Sequence, residues 1–172
     1  MMPKQSLETE RLILRSPIPT DRPFLSELMG HEEVRRFLGG PVPLDRREAI
    51  ISSYCNAKAP DDSSALWVVE IRALHRPIGL ISITKHRDGE DSELSYEFHP
   101  DIWGQGYAIE ATRCVLDFAL NDLAFEQLIA ETQSANSASC NLLEKLGMTE
   151  VRRVERFGAE QSIYASQVSR RS

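Results

Sequence analysis

Two glycines, Gly104 and Gly106, stand close together in the run His99-Pro-Asp-Ile-Trp-Gly-Gln-Gly-Tyr-Ala-Ile-Glu-Ala111. Pro100 ends an alternating segment before them, and a helical pattern opens at Tyr107. A helix N-terminus presents unpaired N–H groups and a partial positive charge, and glycine lets an anion approach the backbone. Together these features can hold an anion of diphosphate size; the same residues also serve in a plain strand-to-helix turn. A dinucleotide fingerprint, Gly-x-Gly-x-x-Gly/Ala, would need a small residue where Ile109 stands, and it opens a first βαβ unit, whereas this run lies past the middle of the chain. A P-loop is excluded because the chain has no Gly-Lys pair. Other reactive side chains are scattered. Cys55, Cys114 and Cys140 read as free thiols. His31, His75, His86 and His99 lack metal-ligand spacing, and no metal is expected.

The elements that must position this loop follow from periodicity. Arg11–Arg15 reads as a short strand that Pro17 and Pro19 terminate. Thr20 or Asp21 caps a helix running to about Met29 with Pro23 in its first turn. Glu32–Phe37 and Leu44–Ala57 are helical stretches separated by Gly39-Gly40-Pro41, and Pro60–Ser64 is a loop. Ala65–Ile71 and Ile78–Thr84 are apolar strands joined by a hairpin around His75–Pro77. In Glu93–His99, Leu94, Tyr96 and Phe98 share one face, and Glu93, Ser95, Glu97 and His99 the other. Ala108, Ala111, Val115 and Phe118 mark a helix over Tyr107–Asn121. Phe125–Thr132 is a strand, and Ser137–Leu146 a helix with Asn136 as N-cap and Gly147 as stop. Strands at Thr149–Arg156 and Gln161–Val168 complete the order. Residues 1–172 thus read as a single α/β domain, with helices flanking a mixed, largely antiparallel sheet of about 6–7 strands.

Composition agrees. The chain has 172 residues, 41% hydrophobic and 27% charged, which suits one domain and excludes a disordered tail or a disulfide scaffold. Twenty basic against 26 acidic residues leave a net charge of −6, so no nucleic-acid partner is expected and a cationic ligand is favoured. No apolar run approaches the ~20 residues of a membrane helix, and the first residues lack a signal-peptide core. No membrane association and a cytoplasmic location are expected.

Trp103-Gly-Gln-Gly-Tyr-Ala-Ile-Glu-Ala111 resembles the acyl-CoA pyrophosphate loop of the GNAT acetyltransferase superfamily, Gln/Arg-x-x-Gly-x-Gly/Ala. Here Trp103 stands first, followed by Gly106 and Ala108. Trp in that place, with Gly-Tyr-Ala and Glu-Ala after it, is similar to the Rim-type ribosomal-protein alanine acetyltransferase branch. Three more segments agree in order: Leu7-Glu-Thr-Glu-Arg-Leu-Ile-Leu-Arg15, Glu93-Leu-Ser-Tyr96, and Asn136-Ser-Ala-Ser-Cys-Asn-Leu-Leu-Glu-Lys-Leu-Gly-Met148. The departures are Ser95 for glycine, Glu97 for an aromatic residue and Met148 for phenylalanine.

The resemblance implies the GNAT acyl-CoA N-acyltransferase fold, its sheet splayed between the strand ending at Pro100 and the strand near Phe125–Thr132. It implies acetyl-CoA as co-substrate. Trp103, Gly104, Gln105, Gly106, Tyr107 and Ala108 would take the diphosphate, the backbone of Tyr96, Glu97 and Phe98 the pantetheine arm, and Asn136 a pantetheine amide. The implied reaction is direct attack of a neutral amine on the thioester in a ternary complex. Glu93 is the expected base, through water, and Ser139 the acid for the leaving thiolate. His99 and Tyr164 are lesser candidates, and Cys140 reads as packing. An α-amine with pKa near 7.7–8.0 costs ~1 kcal/mol to neutralise at pH 7, a lysine amine ~4.6 kcal/mol. The branch points to a protein N-terminal α-amine as acceptor. The alternatives are a small amine (polyamine, antibiotic or amino acid) and a non-catalytic CoA-binding module. The acceptor pocket is expected from the helices between Thr20 and Ala57, in a monomer or homodimer.

Overall fold

Residues 65–71 and 78–84 are apolar almost without alternation because both faces of their strands are covered. Trp67, Val69, Ile81 and Ile83 pack toward one helical layer, Val68 and Leu80 toward another. The computed structural model describes residues 6–56 and 64–168. Ala57, and the Pro60–Ser64 loop except for Ser64, lie outside them.

The elements run β1 (Leu7–Glu8), β2 (Leu12–Arg15), α1 (Arg22–Gly30), α2 (Glu32–Arg35), α3 (Leu44–Cys55), β3 (Ala65–Ile71), β4 (Arg76–Lys85), β5 (Ser92–Phe98), α4 (Tyr107–Asn121), β6 (Leu128–Gln133), α5 (Ser137–Lys145), β7 (Thr149–Arg156) and β8 (Ala159–Ala165). The strands form one sheet ordered β1-β2-β3-β4-β5-β6-β8-β7. There are eight strands among the described residues rather than six or seven. The opening segment supplies the difference, since it folds back on itself as β1 and β2. The Thr9 N–H donates to the Leu12 carbonyl, and the Thr9 hydroxyl accepts from the Leu12 N–H, both at 3.0 Å.

Other boundaries move for local reasons. The helix expected over Glu32–Phe37 closes at Arg35, whose carbonyl accepts from the N–H groups of Leu38 and Gly40. Strand β6 starts at Leu128 rather than Phe125, because Ala124 turns the chain at φ +63 and the Phe125 N–H bonds back to Ala119 at the end of α4.

Helices α1 and α3 cover one face of the sheet through Leu25, Leu28, Met29 and Ile51. Helices α4 and α5 cover the other through Ala111, Val115, Phe118 and Leu143. Every strand pairing is antiparallel except β5 with β6. That parallel pair is in register only at Ser92↔Leu128 and Glu93↔Ile129. Beyond those residues the two strands diverge and leave a cleft in the middle of the sheet.

Candidate active site

The glycine loop lies between the end of β5 and the start of α4. Gly104 and Gly106 have φ of +76 and +79, a region that costs any other residue strain. Gly106 is the N-cap of α4, and the Glu110 N–H closes the first helical bond onto its carbonyl at 3.2 Å. The N–H groups of Tyr107, Ala108 and Ile109 have no intrahelical acceptor at this end. Gly104 has nothing within 4 Å of where a Cβ would lie. These features fit a diphosphate.

Arg11 fixes the loop from β2's side of the sheet. Its guanidinium donates to the Gln105 carbonyl at 3.0 Å and to Glu110 Oε2 at 2.7 Å, and it lies 4.2 Å from the centre of the Tyr107 ring. The Thr9 hydroxyl donates to Glu110 at 2.6 Å. Burial alone would raise the Glu110 carboxyl, but Thr9 and Arg11 outweigh it and hold it below the usual range. Trp103 is half exposed and donates its indole N–H to the Phe98 carbonyl at 3.0 Å. The Gln105 amide donates to the Asp101 carbonyl.

On the α5 side of the cleft, Tyr96 meets Ser139, their oxygens 2.7 Å apart. Burial pushes the Tyr96 phenol up to about 12, against the pull of the Ser139 bond. Asn136 caps α5, its Oδ1 accepting the Ser139 N–H at 3.2 Å, and so positions that serine. Tyr164 is buried and donates to Glu144 at 3.3 Å, with Cys140 beside its phenol.

The opposite face of β5 carries Glu93 and Glu97. Glu93 stands where the strands part. Burial pushes its carboxyl above the usual range and the Glu131 charge adds to that, against the pull of His86, Arg87 and the Glu131 N–H. Glu97 turns its side chain to α2 and pairs with Arg35. Any pantetheine contact from residue 97 is therefore left to its backbone. Arg35 also donates to the carbonyls of Leu38 and Gly40, and the Gln133 amide of β6 donates to the Phe37 carbonyl at 3.2 Å. Residues 35–40 thus bridge both sides of the cleft on this face. His99 bonds Glu27 at 3.0 Å and accepts the Asp101 N–H, so both ring nitrogens are already engaged.

The sequence reading missed His86, Glu131, Asp88 and Arg156. The His86 side chain is almost fully enclosed; its Nδ1 accepts the Asp88 N–H at 3.2 Å, which places the ring proton on Nε2, facing Glu131 Oε2 at 2.7 Å. His86, Glu93 and Glu131 present ligand-type atoms within 4.8 Å of one another, but this tautomer leaves His86 no lone pair for a metal. The signal for Glu131 was a lone carboxylate in an otherwise apolar strand start, Leu128-Ile-Ala-Glu131.

A glycine loop opening a helix, a parting of two parallel strands, and carboxyl, phenol and hydroxyl groups beside it would suit a group-transfer enzyme. Residues 11–149 match the acetyltransferase (GNAT) domain. The chain belongs to that family, whose members use acetyl-CoA, and it is an N-acetyltransferase.

It is 29% identical over 147 residues to the uncharacterized N-acetyltransferase YoaA of Bacillus subtilis, covering 82% of this chain and 81% of that one. Among the solved structures that share the fold are two acetyltransferases. Spermidine N-acetyltransferase from Vibrio cholerae, in complex with CoA and spermine, superposes with a TM-score of 0.75 at 20% identity, covering 91% of this chain and 94% of that one. Ribosomal-protein-S5-alanine acetyltransferase from Vibrio fischeri superposes with a TM-score of 0.74 at 13% identity, covering 96% and 97%.

Proposed function

We propose that the chain transfers the acetyl group of acetyl-CoA to a protein N-terminal α-amine by direct attack in a ternary complex. The observation that carries the reaction is the parting of β5 and β6 at Glu93 and Ile129, with the glycine loop at the far end of β5. The loop N–H groups take the diphosphate, and the backbone of Tyr96, Glu97 and Phe98, paired with β4 on one side only, takes the pantetheine amides on the other. Asn136 serves both as helix cap and as an amide contact. Glu93 receives the amine proton through water, and its raised carboxyl range suits a base working nearer neutrality. Ser139, hydrogen-bonded to Tyr96, gives a proton to the departing thiolate. The amine–carbonyl carbon bond forms, the carbon–sulfur bond breaks, and one proton passes from amine to thiol overall.

The Rim-like segments around Trp103, Glu93 and Asn136 support an α-amine acceptor. The second reading, a polyamine acceptor, is favoured by the net charge of −6 and by the Glu93 carboxylate where the strands part. A panel of ribosomal-protein N-terminal peptides, spermidine and spermine, scored by thiol release from acetyl-CoA, tests both. Turnover of an alanine-terminated peptide well above spermidine supports the first reading, and the reverse order supports the second. CoA binding with no amine consumed supports a non-catalytic module.

A further inference from the structure

Behind Glu93, on the same face of the sheet, lies a second carboxylate. Glu131 sits two residues beyond Ile129, the partner of Glu93 in the last paired position of β5 and β6. Its side chain is 8% exposed. One oxygen takes the His86 Nε2–H at 2.7 Å. The other lies 3.0 Å from Arg156 Nε, yet no N–H points at it, so that buried oxygen has no hydrogen-bond donor. Arg156 is itself anchored to Asp88 at 2.7 and 2.5 Å, and Asp88 also receives Arg152 at 2.9 Å. The β4–β5 turn is thereby tied across β6 and β8 to the outer strand β7.

The Glu131 carboxylate lies within 4.8 Å of His86 and of the Glu93 carboxylate. Two carboxylates this close repel when both are charged, so the Glu131 charge makes Glu93 easier to protonate. The ring N–H of His86 and the guanidinium of Arg156 both face Glu131, which favours negative charge there. The groups that face Glu93 are His86 at the end of β4, Arg87 in the following turn, Glu131 on β6 and Arg156 on β7.

We propose that Glu131 is a positioning residue for the base. Its buried carboxylate, fixed by His86 and Arg156, makes Glu93 the member of the pair that accepts the proton from the incoming amine. This rests on reading Glu93 as the base. The arrangement gives a basic carboxyl at the mouth of the cleft while the charge that makes it basic stays out of reach of substrate and solvent.

The test is a ¹³C titration of the Glu93 side-chain carboxyl in the full chain, assigned with Glu93→Gln and needing no acceptor. In Glu131→Gln the like charge is gone, Glu93 ionises more easily, and its midpoint falls by roughly one pH unit. A role limited to packing would not move it. An unmoved Glu93 midpoint in folded Glu131→Gln overturns the proposal. Should that variant not fold, an unmoved midpoint in Glu131→Ala, which removes the same charge, overturns it. Wild-type turnover by Glu93→Gln, with the midpoint shifts intact, removes the base reading and with it the catalytic meaning of the pair; the two failures are distinct.

Discussion

Replacing Gly106 by valine places a branched side chain at φ +79, where a non-glycine residue costs ~1–3 kcal/mol and a β-branched one falls at the upper end. The new Cβ would lie 3.3 Å from Arg11 Nη2. That guanidinium has little room to yield, being held to Gln105 at 3.0 Å and to Glu110 at 2.7 Å. Strain is relieved most cheaply by rotating the loop, which turns the N–H groups of Gly106 and Tyr107 away from their common focus. Affinity for CoA should therefore fall at least tenfold, ~1.4 kcal/mol. The fold should survive with a melting temperature lowered by roughly 3–10 °C. Titration calorimetry with CoA, beside circular dichroism melts, measures both. Gly104→Ala is the control: φ is +76 but nothing lies within 4 Å, so it carries strain without contact and should lose less. A folded Gly106→Val protein that binds CoA within twofold of wild type would refute the placement of the donor on this loop.

Glu93→Gln should lower turnover ~10²–10⁴-fold, most for amines of high pKa and least for an alanine-terminated peptide at alkaline pH. Because burial raises the Glu93 carboxyl, the acid limb of kcat/KM should lie above the ordinary glutamate value of about 4.3, and activity should fall as pH drops through it; stopped-assay pH profiles would show a limb at or below that value if the assignment is wrong. Cys140→Ala should keep most activity, and mass spectrometry after incubation with acetyl-CoA alone should find no acetyl adduct on Cys140; a trapped thioester would defeat direct attack. Gly79→Ala should cost ~1–3 kcal/mol in urea unfolding, because its Cβ would meet the Phe98 ring at 2.3 Å and the Glu97 carbonyl at 3.0 Å. A neutral result there would mean that β5 shifts freely against β4.

What could be read from the sequence was local. Tyr107–Asn121 is the helix its spacing predicts, because Ala111, Val115 and Phe118 share one buried stripe. Asn136 caps α5 as expected. The glycine loop was legible because backbone sterics tie Gly104 and Gly106 to their conformation. The double strand at the N-terminus was hidden, since a turn held at Thr9 and the pairing of two residues with Ile13 and Leu14 distinguish it from a single strand. The surroundings of Glu93 were hidden for a different reason. His86 and Glu131 are 45 residues apart, and Arg156 lies farther still. No periodicity along one element reports a cluster assembled from three strands and a turn. Arg35 reaching Glu97 across 62 residues is the same case.

The sheet's two outer borders are poor places for another strand to join. One is the two-residue β1. The other is β7, irregular between Glu150 and Arg152 and studded with Arg152, Arg153 and Glu155, charges of the kind that discourage edge-to-edge aggregation. The backbone left free to pair instead lies in the interior, where β5 and β6 separate beyond Glu93 and Ile129. A sheet normally guards itself against unwanted partners at its rims. Here the vulnerable edge lies indoors, where the proposed function has a slender amide-bearing chain pair with it.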